Sequence, residues 1–178
     1  MKKHRCKVCK GEYVKQTSLQ QWCSPSCGFK LSQIKLQKKQ NDKHKELKKK
    51  VRDNDRSHWT KKAQSEFNKY IRARDENLPC VSCGRFHSGQ YHAGHYRTVG
   101  ASPELRFDEL NCHKQCSPCN NHLSGNIVNY RINLSAKIGA DKLEWLEGNH
   151  EPKRYTIDDL KEIAKTYRAK TKELEQCK

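Results

Sequence analysis

A chain of 178 residues, 33% hydrophobic and 32% charged, has room for one ordinary domain with appendages and too little apolar material for a single large core. Its 37 Lys and Arg against 20 Asp and Glu give a formal charge of +17, and no window approaches the ~18 apolar residues of a membrane span. The first 25 residues begin basic (Lys2, Lys3, Arg5) but lack the apolar run of a secretion signal, so the ten cysteines are expected in a reducing cytosol, as metal ligands more than as disulfides.

In chain order, the first element is RCKVCKGEYVKQTSLQQWCSPSCGF, residues 5–29. Thirteen residues separate the pair Cys6 and Cys9 from the pair Cys23 and Cys27, and two chelating pairs of soft thiolates suit tetrahedral Zn2+. A four-cysteine zinc module is expected over 1–29. From about residue 30 to 56 the sequence is lysine-rich, with sparse apolar residues and helical propensity throughout. It reads as an exposed helical arm, with Lys38, Lys39, Lys43, Lys45, Lys48, Lys49, Lys50 and Arg52 available to a polyanion. Residues 1–62 hold 19 Lys and Arg against 5 Asp and Glu, so +14 of the charge sits there. Eight zinc-bound thiolates would leave the whole chain near +13, still a field that suits nucleic acid. The plainer reading is a solvated basic arm with no dedicated partner.

Residues 57–76 differ in kind. Trp59, Ala63, Phe67, Tyr70 and Ile71 fall on one face of a helix that should pack on a core. Beyond them, CVSCG (80–84) and CSPCN (116–120) supply a second four-cysteine site, Cys80, Cys83, Cys116 and Cys119, with 32 residues between the pairs. The intervening segment carries His87, Tyr91, His92, His95, Tyr96, Asn111, Cys112 and His113. His87 and His113 read as surface or supporting residues, and Cys112, surplus to a four-ligand site, as a free buried thiol. Cys177 has no specific role in this reading. After residue 126 two further helical clusters are expected, broken at Gly139 and Gly148, with Thr156 and Asp159 spaced as an N-terminal cap.

A structural zinc needs none of the extra histidines. A metal-dependent phosphodiesterase does: a neutral imidazole to take a proton from water, and a hard divalent ion to neutralise charge on phosphate and leaving oxygen. The order Cys-x2-Cys, His, Asn-x4-Cys-x2-Cys-Asn over 80–126 resembles the HNH, or ββα-metal, nucleases, and among them the endonuclease VII type of Holliday-junction enzymes. Along the whole chain, YHAGHYRTVGA and LRFDELNCHKQCSPCNNHLSGN are similar to the NinG (Rap) family of lambdoid phage recombination proteins.

This resemblance implies an α+β, mostly α chain. A small zinc-stabilised HNH-like core over 57–126 would be flanked by the zinc module, the basic arm (30–56) and a C-terminal helical region (127–178). It implies that His95 is the general base and that Asn120, at the start of the helix, holds Mg2+ or Mn2+. Asn111 would brace the loop, and the two cysteine quartets would hold structural Zn2+. One position departs: where the endonuclease VII type has Asp just before the histidine, this chain has Gly94. A replacement ligand is needed, His92 first and His122 next, and an imidazole there would favour Mn2+, Ni2+ or Zn2+ over Mg2+. The implied activity is structure-selective cutting of branched recombination intermediates (Holliday junctions, D-loops) in the host bacterial cytoplasm. A homodimer and phage or host recombination proteins are the implied partners, with no membrane. The rival is a non-catalytic zinc protein that binds DNA and recruits or aligns recombination partners; the missing Asp favours it.

Overall fold

A computed structural model of the chain describes residues 2–176; Cys177 lies outside them. It forms two compact units, Met1–Asn54 and Asp55–Lys178. The segments 57–126 and 127–178 therefore belong to one body.

In the first unit, strands β1 (Lys3–Arg5) and β2 (Glu12–Val14) pair antiparallel, His4 opposite Tyr13. The turn between them carries Cys6 and Cys9. Helix α1 (Pro25–Asp53) starts inside the cysteine module, so module and arm share one continuous element. Ser24 caps it by accepting from the Cys27 amide at 3.3 Å, and Pro25 fits the first turn, where an amide hydrogen would have no partner. At 29 residues the helix is about 43 Å long, and Leu31 is its one buried residue. All eight basic residues from Lys38 to Arg52 named above are exposed.

The second unit is built on helix α2 (Arg56–Arg74) and helix α5 (Ile157–Gln176). Ala63, Phe67 and Ile71 on α2 are fully buried with Leu160, Ala164 and Tyr167 of α5, while Trp59 and Tyr70 flank them half-buried. Tyr167 stands edge-on to Phe67, ring centroids 4.8 Å apart. Thr156 and Asp159 cap α5 reciprocally: each side chain accepts the other's amide, at 2.9 and 3.1 Å. A two-stranded hairpin, β3 (Tyr91–His95) and β4 (Cys112–Cys116), lies against α2. Its register sets Tyr91 opposite Cys116 and His95 opposite Cys112. On its other side are helices α3 (Ile127–Ile138) and α4 (Ala140–Glu147), divided at Gly139, with a second core of Tyr96, Leu105, Tyr130, Leu134, Leu143 and Leu146.

Covered on both faces, β4 is buried at every residue although its sequence is Cys-His-Lys-Gln-Cys. Asp75, at the end of α2 and 2% exposed, makes that burial tolerable. Its carboxylate accepts two bonds from Arg74 at 2.9 Å and one from the Lys114 amide at 3.0 Å, with Lys137 Nζ at 3.3 Å. Arg74 continues to the Cys112 and Glu109 carbonyls and to His113 Nδ1 at 2.9 Å. His113 is thus an internal strut, 3% exposed, in the supporting position that was one of its two readings. Burial would raise the Asp75 carboxyl, but His113, Arg74 and the Lys114 amide outweigh it and hold it far below the usual range.

Removing Asp75 leaves buried cations uncompensated, so Asp75→Asn should cost roughly 3 kcal/mol or more in urea unfolding. Acid acts on the same hub in two steps. Burial depresses His113, whose contribution is lost as pH falls below about 6.5; depressed Asp75 follows below about 3.9, the unfolded values of the two groups. Asp75→Asn should flatten the lower step and leave stability above pH 7 merely offset.

Candidate functional site

Each cysteine quartet brings its four sulfurs within 4.8 Å of one another. Cys9 and Cys23 lie 3.5 Å apart, Cys23 and Cys27 3.7 Å, and Cys83 and Cys116 4.0 Å. A tetrahedral ion with bonds of about 2.3 Å needs sulfurs about 3.8 Å apart, so both quartets fit Zn2+. The first cysteine of each is buried, and its sulfur accepts a backbone amide: Val8 to Cys6 at 3.4 Å, Cys116 to Cys80 at 3.3 Å. The Cys9 and Val8 amides lower the Cys6 thiol to about 6, whereas its neighbours Cys9 and Cys27 push Cys23 up to about 12. Burial and crowding by Cys80 push Cys116 up to about 12. Four sulfurs this close cannot all ionise unless a cation joins them. An ion in the second quartet would make it a clamp: Cys80 and Cys83 would hold the end of β4, through Cys116, to a single turn of π-helix, Pro118–His122, through Cys119.

That turn carries Asn120, so Asn120 sits in a five-residue turn and not at the start of the long helix, which begins only at Ile127. Three consecutive left-handed residues, Ser124, Gly125 and Asn126 (φ 49°, 86° and 46°), intervene and turn the Gly125 carbonyl inward. His95, Asn120, Gln115 and Gly125 line one cavity of about 240 Å³. His95 Nε2 is 2.9 Å from the Arg106 carbonyl. A carbonyl only accepts, so Nε2 carries the hydrogen and Nδ1 the lone pair, 3.8 Å from the Cys112 thiol. Burial lowers the His95 imidazole below the ordinary histidine range, so it is neutral at pH 7. Cys112 is fully buried, and that burial pushes its thiol far up.

Buried Gly94 packs against two of these lining side chains. A Cβ there would lie 2.1 Å from Gln115 Oε1 and 3.1 Å from Asn120 Oδ1. The strand position that lacks an acidic residue is therefore already filled, by a glutamine reaching across from the paired strand. Two carboxamide oxygens converging on one space are hard donors of the kind a divalent ion takes. Sequence reading missed Gln115. A polar residue immediately before a zinc cysteine, on a strand buried on both faces, was the available signal.

The other expected site residues lie elsewhere. His92 is half-buried, its Nε2 3.4 Å from Asn121 Nδ2, and His122 is exposed. Neither lines the cavity of His95 and Asn120. Asn111 is fully buried: its Oδ1 accepts from the Arg97 amide at 2.7 Å, and its Nδ2 donates to the Arg97 and Leu105 carbonyls at 3.0 and 3.1 Å. It closes the loop between β3 and β4. His87 Nε2 lies 3.2 Å from Cys83 Sγ, beside the clamp. On α1, Lys38, Lys45, Lys49 and Arg52 at i, i+7, i+11 and i+14 share one face, while Lys39, Lys43 and Lys50 share another.

A family model described as Bacteriophage Lambda NinG protein matches residues 1–177. The ninG protein of Escherichia phage lambda is 40% identical over 190 residues, covering 97% of this chain and 93% of its own. That of Salmonella phage P22 is 40% identical over 190 residues, covering 97% and 94%. That of Escherichia phage 933W is 39% identical over 191 residues, again covering 97% and 94%. No solved structure matches.

Metal analysis of the purified protein should find two zinc ions per chain. Cys9→Ser and Cys116→Ser should each reduce that to one. Only Cys116→Ser should also lower the unfolding temperature of the second unit, since it alone opens the clamp on β4. Two zinc ions retained by Cys116→Ser would show that another residue supplies the ligand.

Proposed function

This chain belongs to the NinG family of bacteriophage proteins, and on that basis we propose that it is a metal-dependent DNA endonuclease that cuts branched recombination intermediates, Holliday junctions and D-loops. One observation carries the reading: a neutral, half-buried histidine and a carboxamide share a cavity beside a hairpin that a sulfur clamp holds rigid. A histidine kept merely for packing has no need of a cavity lined with unpartnered oxygens.

In this mechanism the Arg106 carbonyl holds His95 in the tautomer whose Nδ1 carries the lone pair; that lone pair faces the Cys112 thiol at 3.8 Å, a contact His95 gives up to take a proton. A water gives that proton to His95 as its oxygen bonds to phosphorus and the bond from phosphorus to the 3′-oxygen breaks; the leaving oxygen is then protonated from solvent. Mg2+ or Mn2+ held by Asn120 would neutralise the charge that gathers on the phosphate and the leaving oxygen. Lys38, Lys45, Lys49 and Arg52 on one face of α1 serve as phosphate contacts, spread over about 21 Å of helix and indifferent to base sequence. The preference for branched DNA comes with the family reading.

The test compares a labelled four-way junction with a matched linear duplex in Mg2+, Mn2+ or EDTA. Metal-dependent cutting of the junction is expected, with His95→Ala about 10²–10⁴-fold slower and its junction affinity unchanged. Binding with no cutting in any metal would replace the nuclease by a non-catalytic protein that aligns recombination partners. Because burial lowers His95 and only the neutral ring can take a proton, the acid limb of the rate should lie below pH ~6.5. Changing Lys38, Lys45, Lys49 and Arg52 together to Gln should flatten the salt dependence of junction binding, by up to about 0.9 in slope per lost phosphate contact.

A further inference from the structure

We infer that Gln115 is a metal ligand, its Oε1 joining Asn120 Oδ1 to hold one divalent cation on the side of the cavity they both line, next to Gly94. This rests on the reading of the cavity as a metal-dependent site and names a residue that the reading lacked.

Gln115 is 1% exposed and lines the cavity, so its carboxamide must be accounted for at both ends. The amide nitrogen lies 2.6 Å from Ser82 Oγ and 2.5 Å from the Gly125 carbonyl. Only the N–H end can face a carbonyl, so the orientation is fixed and Oε1 points the other way, toward Gly94 and Asn120. Among the described residues no donor meets that oxygen. Asn120 is oriented in the same manner: its Nδ2 donates to Asn121 Oδ1 at 2.7 Å, which leaves its own Oδ1 on the cavity side. The left-handed run 124–126 and the zinc clamp hold both side chains, since one supplies the Gly125 carbonyl and the other fixes Cys116 and Cys119 beside them. Two amide oxygens that reach the same cavity without a protein hydrogen-bond donor can accept a cation there. A neutral oxygen pair suits Mn2+ or Mg2+ better than a soft ion.

The same geometry makes side chains at positions 94 and 115 exclusive. An aspartate at position 94 cannot coexist with Gln115, since its Cβ would sit 2.1 Å from Oε1. Once Gln115 is shortened, the carboxylate introduced by Gly94→Asp can supply the missing oxygen.

The experiment measures Mn2+ binding to the zinc-loaded full chain by electron paramagnetic resonance titration, with zinc content checked in every variant. Wild type should bind one Mn2+. Gln115→Met, which keeps the volume and removes the oxygen, should weaken it by about tenfold to a hundredfold. Gly94→Asp alone should bind no better than Gln115→Met, whereas Gly94→Asp with Gln115→Ala should regain affinity. Should Asn120→Ala abolish Mn2+ binding while Gln115→Met leaves it unchanged, the assignment of Gln115 is overturned and the metal-dependent reading stands. If wild type binds no Mn2+ beyond its two zinc ions, both fall.

Discussion

Four sulfurs that must sit within 4.8 Å of one another decide the shape of the second unit. Two of them, Cys116 and Cys119, mark the end of β4 and the middle of the turn that follows; the other two fix a knuckle that precedes β3 by less than ten residues. Apolar burial could not do this work here, because the chain is only 33% hydrophobic and the strand so held reads Cys-His-Lys-Gln-Cys. A tetrahedral cation in that quartet would supply attraction that depends on thiolate charge and not on apolar area, at the point where the hairpin's polar residues converge.

Around that clamp the buried polar groups are divided between two tasks. On one side Asp75 gathers Arg74, Lys137, the Lys114 amide and, through Arg74, His113, and so joins α2, β4 and α3 electrostatically. On the other, Gln115 and Asn120 direct their N–H groups to neighbours and keep their oxygens for the cavity. Lys114 meets Asp75 through its backbone amide, while Gln115 reaches the cavity with its side chain, so neighbours in sequence belong to these different systems. The first system is complete within the protein. In the second, the oxygens of Gln115 and Asn120 have no protein donor among the described residues and face the cavity.

Much of this was legible beforehand, where the physics is local. Cysteine spacing identified both quartets, the period of Trp59, Ala63, Phe67 and Ile71 identified the buried face of α2, and Thr156 with Asp159 identified a helix start. What was not legible depended on pairing across the chain. Gly94 looked like a missing ligand because one strand was read without its partner; the register Gly94 opposite His113 brings Gln115 next to it. Asn120 was expected at the start of the long helix; it lies instead on the separate π-helical turn Pro118–His122, because the left-handed residues 124–126 break the helical path before Ile127. His92 was favoured as a replacement ligand for its closeness in sequence to His95, and a strand carries it instead toward Asn121 at the other edge of the turn.

The completely buried β4 has a consequence for how the protein reaches this state. Sliding the strand by one residue would turn every side chain to the opposite face: Gln115 would leave the cavity and Cys116 the sulfur quartet. A slipped hairpin can offer the incoming zinc no more than three of its four ligands. A zinc ion bound in the quartet would favour the one register in which all four sulfurs meet, the register that also brings Gln115 to the cavity.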